Sequence, residues 1–316
     1  MSSKGIKFKN TVARLAGYLA LFLCFLFIGF RLWENRSDFS GIHFHLSLIG
    51  ALVVSSITYA LASLLIAVAW QRLLTLLGEK KASFKTCFPV YAHSQIAKYI
   101  PGNIVHIAGR HAMGRTTGLS NASLVAAALY EMIGLVTCAG LIKISINFSS
   151  LTVFDPPVSI TIFVVVILIL SPISFMMIKS RLMPPQSQVK SSSIQVLSGI
   201  LGVTILYTLF FLLAGISLLG LVYGIHITVD ITKAFQMLSI FSVSWLAGFL
   251  TPGAPAGIGV REAVMIALME GIIGKSNSVI ISILFRLVTI AGDVILFFMP
   301  FFLFRHQNKE SHSLPK

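Results

Sequence analysis

The chain has 316 residues, 56% of them hydrophobic and 11% charged, with a mean hydropathy of +0.91 and a formal net charge of +14. Soluble domains carry about 25% charged residues, so this composition excludes an ordinary water-soluble fold and defines an integral membrane protein. The positive charge does not call for nucleic acid, because membrane proteins gather Lys and Arg in their cytoplasmic loops, where they also meet anionic lipid.

A transmembrane helix needs about 20 mostly apolar residues, and six stretches qualify: about 11–31, 46–70, 122–142, 157–178, 194–222 and 278–304. The first follows a basic lead (Lys4, Lys7, Lys9, Arg14) and runs into Arg31-Leu32-Trp33-Glu34 without a small-x-small cleavage pattern, which reads as a retained signal anchor. Cys24, Cys87 and Cys138 lie in or beside apolar segments with no paired spacing, so neither a disulfide framework nor a metal site is expected. With the N-terminus inside, seventeen of the 24 Lys and Arg fall on the cytoplasmic side, six on the other, and Arg286 within a span. This fixes an orientation with both termini cytoplasmic, 305–316 forming the final tail.

Two segments interrupt the pattern, near 83–117 and 232–272, and they are related. SQIAKYIPGNIVHIAGR at 94–110 aligns with SWLAGFLTPGAPAGIGVR at 244–261, with one extra residue before the proline. Each opens on Ser, breaks at Pro-Gly and reaches an arginine nine residues after the proline, Pro101 to Arg110 and Pro252 to Arg261. Three spans separate the motifs, which places them on opposite membrane sides. The expected fold is therefore all-α: one polytopic membrane domain over 1–316, of about six spans plus two re-entrant or broken Pro-Gly segments. Its halves, about 46–142 and 194–304, are inverted-topology repeats. Helix through 251–263 would cost roughly 1 kcal/mol per glycine and about 3 per proline, and irregular backbone is not tolerated against lipid. The breaks must be buried in protein or line a polar cavity, and paired breaks of this kind mark a transporter's substrate site. A helix resuming near Val260 offers a free N-terminus as an anion seat.

KYIPGNIVHIAGR at 98–110 and TPGAPAGIGVREAV at 251–264 resemble the two signature segments of the lysylphosphatidylglycerol synthase transmembrane-region family, over nearly the whole chain. The resemblance implies a flippase-like membrane domain; in relatives fused to an aminoacyl-transferase it implies translocation of an aminoacylated phospholipid across the bacterial inner membrane, while stand-alone relatives include neighbours of polysaccharide or glycolipid genes. Only about a dozen residues follow position 304, so no aminoacyl-transferase domain, and no lysine-transferring chemistry, is expected.

Arg110 and Arg261 head the candidate site, because guanidinium forks match phosphate geometry; the alternative is local pairing, Arg261 with Glu262. Pro101, Gly102, Pro252, Gly253, Gly257 and Gly259 shape the breaks, to admit a headgroup or to pack helices closely. Lys98 beside the first break suits a phosphate or interfacial snorkelling equally. Glu131, Arg286 and Asp293 are charges inside spans, each costing roughly 2.5–3.5 kcal/mol unless partnered. Arg286 and Asp293 are seven apart on one helix face, which suits a polar stripe rather than a pair. Glu131 suits either arginine of the motifs or Arg286. Glu131 and Asp293 fit static pairing or proton coupling.

His93, His106 and His111 lack metal-site spacing. No nucleophile elbow, Walker loop or His-Glu-x-x-His is present. The chain is thus expected to be no enzyme and to need no cofactor; an enzyme of unfamiliar chemistry around Glu131 and the histidines is the outlying reading. The leading expectation is flippase-like translocation of an anionic lipid or lipid-linked saccharide. The rival is a non-transporting partner that presents such a lipid to a glycosyltransferase or lipid synthase.

Overall fold

A computed structural model describes residues 46–100, 105–150, 171–182, 193–251 and 255–304, together with Phe30 and Trp33. The described residues are helical almost throughout, in eight named helices. They are α1 (Leu46–Leu76), α2 (Phe84–Gln95), α3 (Val105–Thr116), α4 (Asn121–Ser150), α5 (Ser193–Gly224), α6 (Ile231–Leu250), α7 (Val260–Ile273) and α8 (Lys275–Phe304). Residues 171–182 form a further helical piece. Short 3₁₀ turns at Ile96–Tyr99 and Pro255–Gly257 flank the breaks.

Five of these helices are long and apolar enough to cross a bilayer: Leu46–Leu76, Asn121–Lys143, Ile194–Gly224, Ile231–Leu250 and Lys275–Phe304. The expected span at 11–31 lies outside the described residues except for Phe30, as does most of 157–178. The fourth of the five differs from expectation. The segment near 232–272 is broken as expected, between Leu250 and Val260, but its first arm, α6, runs for 20 residues without interruption, about 30 Å and enough to cross. Lys233, Gln236 and three serines dilute its hydropathy to 1.3, against 1.9–2.4 for the others, which hides it in the sequence.

Local chemistry sets the ends of these elements. Ser83 caps α2 by accepting from Thr86 N at 3.2 Å, and Asp230 caps α6 by accepting from Lys233 N at 2.9 Å. At the other end of each broken segment the residue before proline is extended, Ile100 at φ −76, ψ 138 and Thr251 at φ −82, ψ 113. Proline's ring forbids helical backbone to its predecessor, so both breaks begin for the same steric reason.

The outward faces are as apolar as the inward ones. Ile49, Val53, Val54, Ile57 and Leu61 of α1 are exposed, the side that lipid covers, while Ser63, Ala67 and Trp70 of the same helix are buried. α8 is the central helix: 78% of its most apolar window is buried, against 44–50% for the other four. It packs against α1, α2, α5 and α7. Gly292 lets α8 approach α1 closely, since a Cβ there would stand 2.7 Å from the Tyr59 ring and 3.0 Å from the Ser56 carbonyl oxygen.

Candidate functional site

α8 ties both breaks together. Asp293, 1% exposed, accepts from Lys98 Nζ at 2.8 Å and from the Tyr99 hydroxyl, both in the 3₁₀ turn before the first break. Two turns earlier Arg286 donates through Nη1 to the Ala256 carbonyl of the second break at 3.4 Å, and its Nε lies 3.5 Å from Glu262 of α7. Its guanidinium also stands 5.7 Å from the centroid of the Tyr99 ring. Arg286 and Asp293 thus share a face of α8 without pairing with each other; a small apolar cluster of Tyr99, Ala256, Val279, Ile283 and Ile290 surrounds the junction.

The arginines of the two motifs meet in one cavity of about 90 Å³, room for several waters. Four pairs of positions equivalent in the aligned motifs line it: Gln95 with Trp245, Lys98 with Gly248, His106 with Gly257, and Arg110 with Arg261. The alignment of the sequences is therefore also a juxtaposition in space.

Their surroundings differ. Arg110, 4% exposed, donates from Nη1 to both oxygens of Glu131, at 2.9 and 2.7 Å, and from Nε to Ser94 Oγ at 3.4 Å. Its guanidinium lies 3.9 Å from the centroid of the Tyr91 ring, and Tyr91 donates its hydroxyl to Glu131 at 3.4 Å. Only Nη2 of Arg110 is left without a partner. Arg261 makes neither hydrogen bond nor ion pair among the described residues; its buried Nε is unsatisfied, and its one polar contact is the Trp245 ring, 5.9 Å from centroid to guanidinium carbon.

Local pairing of Arg261 with Glu262 does not occur. Glu262 turns away: Oε2 accepts from the Gly259 backbone N–H at 2.6 Å and Oε1 faces Arg286. That contact also corrects the expectation of a free helix N-terminus at Val260. α7 does begin at Val260, but the carboxylate of its own first turn already covers the entrance, as in the Glu half of a capping box.

Glycine makes room for Arg261. A Cβ on Gly248 would stand 2.5 Å from Arg261 Cγ, and one on Gly257 would stand 2.7 Å from Arg261 Nε and 2.8 Å from Gly248 Cα. Gly257 and Gly259 also hold φ values of +70 and +84, where a side chain is strained. The first half has Lys98 and His106 at the positions of these two packing glycines. Pro101, Gly102, Pro252 and Gly253 lie outside the described residues.

The histidines part company. His93 packs against Phe297 at 4.9 Å between ring centroids, His111 Nε2 is 3.2 Å from Asn121 Oδ1, and His106 faces the cavity with Nδ1 unpartnered. No group of three or more His, Cys, Asp or Glu gathers among the described residues. Tyr91 and Trp245 were missed as site residues, although Trp245 follows the Ser that opens the second motif, as Gln95 follows the first.

A multi-pass α-helical membrane protein whose two broken segments converge on a cation-lined cavity is the class these features define. The chain belongs to the lysylphosphatidylglycerol synthase TM region family, whose model matches residues 11–296. No curated protein and no solved structure matches it.

Proposed function

We propose that this protein binds an anionic lipid or lipid-linked saccharide and translocates it across the bacterial inner membrane, with both termini cytoplasmic and no covalent step on the lipid. The observation that carries this reading is Arg261: a guanidinium at a cavity wall with no hydrogen-bond or ion-pair partner among the described residues. The residue is half-buried and its Nε is cut off from water without an acceptor, an uncompensated desolvation that a phosphate on its fork would relieve. The convergence of two broken segments on this cavity supports movement of the ligand as well as binding, as in transporters that carry their site between paired breaks. The Lys and Arg bias supports the orientation. Arg110 differs in role, since Glu131 already neutralises it.

The test is mass spectrometry of lipids that co-purify with the full chain in mild detergent, beside Arg261→Ala. A specific anionic or polyprenyl-linked lipid, retained by the wild type and lost in the variant, is expected. The same lipid, fluorescently labelled in proteoliposomes, should then change leaflet only when wild-type protein is present. Equal bulk phospholipid from both proteins would overturn the binding site, and a retained lipid that never changes leaflet would overturn translocation.

A further inference from the structure

Among the described residues, every carboxylate near the cavity is already engaged. Glu131 gives both oxygens to Arg110 and one also to Tyr91. Asp293, behind Lys98, gives one oxygen to the lysine and the other to Tyr99, with Lys98 Nζ within 2.7 Å of that second oxygen too. Glu262 divides its oxygens between the Gly259 N–H and Arg286. The residues of the two breaks, 101–104 and 252–254, include no acid.

Aromatic faces, the other natural seat for a cation, are occupied as well. Arg110 lies over Tyr91, Arg261 near Trp245, and Lys98 and Arg286 near Tyr99. The charged side chains lining the cavity are Lys98, Arg110, Arg261 and Glu131. Once Lys98 is set against Asp293 and Arg110 against Glu131, the positive charge of Arg261 is left over.

From this balance we propose that the cavity selects a headgroup by its lack of ammonium groups: a phosphodiester of single negative charge, such as that of phosphatidylglycerol, is accepted, and its lysylated form is rejected. The proposal rests on the anionic-lipid reading above and sharpens it. Lysylphosphatidylglycerol, the lipid in the family's name, sets two ammonium groups against one phosphate. To enter, it must bring a net positive charge to a site that already has one and offers no free carboxylate among the described residues. Like charges brought together without water between them repel strongly.

Native mass spectrometry of the full chain in detergent, titrated separately with phosphatidylglycerol and lysylphosphatidylglycerol, tests this directly. The wild type should bind phosphatidylglycerol at least tenfold more tightly. Arg261→Gln should remove most of that preference, whereas Arg261→Lys, which keeps the charge, should retain it. Inorganic phosphate at millimolar concentration should leave the lipid bound. Equal or tighter binding of the lysylated lipid, with phosphatidylglycerol still specifically bound, would overturn the charge selection and leave the anionic-lipid reading intact. Displacement by inorganic phosphate, or no specific binding of either lipid, would overturn both.

Discussion

The two broken segments begin alike and end differently. Each stops a helix at an extended residue before proline and reaches an arginine nine residues later, and the two arginines share one cavity. In the first, the chain re-enters a helix four residues after Pro101, so Arg110 falls on the second turn of α3 and reaches Glu131 on α4. In the second, re-entry waits until eight residues after Pro252, so Arg261 sits on the first turn of α7 and lies over Gly248 and Gly257. Equal spacing in sequence thus yields one neutralised arginine and one without a counter-charge. The arms differ too: α2 and α3 have 12 residues each, about 18 Å and too short to cross alone, whereas α6, with 20 residues, is long enough to cross.

The comparison breaks most visibly at Glu131. Glu131→Ala leaves the Arg110 guanidinium buried without its counter-charge, and should cost about 3–5 kcal/mol, read as a large fall in thermal unfolding midpoint in detergent. The double change Arg110→Met, Glu131→Leu should recover most of that loss, because a buried pair exchanged for apolar groups is often neutral. Gly257→Ala comes next. It places a Cβ against Arg261 and the Gly248 backbone at a positive φ, and should cost about 1–2 kcal/mol from conformation alone, together with loss of retained lipid. Arg261→Met breaks no ion pair and removes a guanidinium whose Nε is unsatisfied, so it should leave stability unchanged or raise it, while abolishing lipid retention. A loss as large as that at Glu131 would erase the distinction between the two arginines.

The smallest effect lies at the aqueous edge of the first half. Burial pushes the Glu79 carboxyl up, but hydrogen bonds involving Ser120 and Ser123 outweigh it and leave its pKa below the usual value; the Ser120 N–H lies 3.1 Å from Oε1. With the folded pKa depressed, its stabilisation is complete above the ordinary carboxylate pKa, about 4.3, and disappears as pH falls through the lower folded value. Glu79→Gln should therefore flatten a modest loss of unfolding midpoint below about pH 4, and cost under about 0.5 kcal/mol at neutral pH.

Much of the fold was legible because lipid imposes simple rules. Apolar runs of span length announced α1, α4, α5 and α8, and the Pro-Gly motifs announced where helices stop. α6 escaped because its serines, Lys233 and Gln236 lower the local hydropathy; Ser239, Ser242 and Ser244 are buried, and Lys233 sits exposed beside Asp230 at the helix entrance. Within the site, the repeat located both arginines, and the cost of intramembrane charge flagged Glu131, Arg286 and Asp293. Which charge meets which is another matter. Glu262 stands next to Arg261 in sequence, yet the first-turn geometry of α7 turns its carboxylate back to Gly259 and leaves it beside Arg286. Such choices depend on helix phase across a break, which a linear pattern does not encode.

The two anchors on α8 have a mechanical consequence. Asp293 fastens one break and Arg286 the other, seven residues apart on a single rigid rod, a separation of about 10 Å. Sliding one break past the other stretches one fastening unless the rod tilts with the motion. α8 therefore acts as a crossbar, so that motion of the two segments is either shared or begins with the parting of Lys98 from Asp293 or of Arg286 from Glu262.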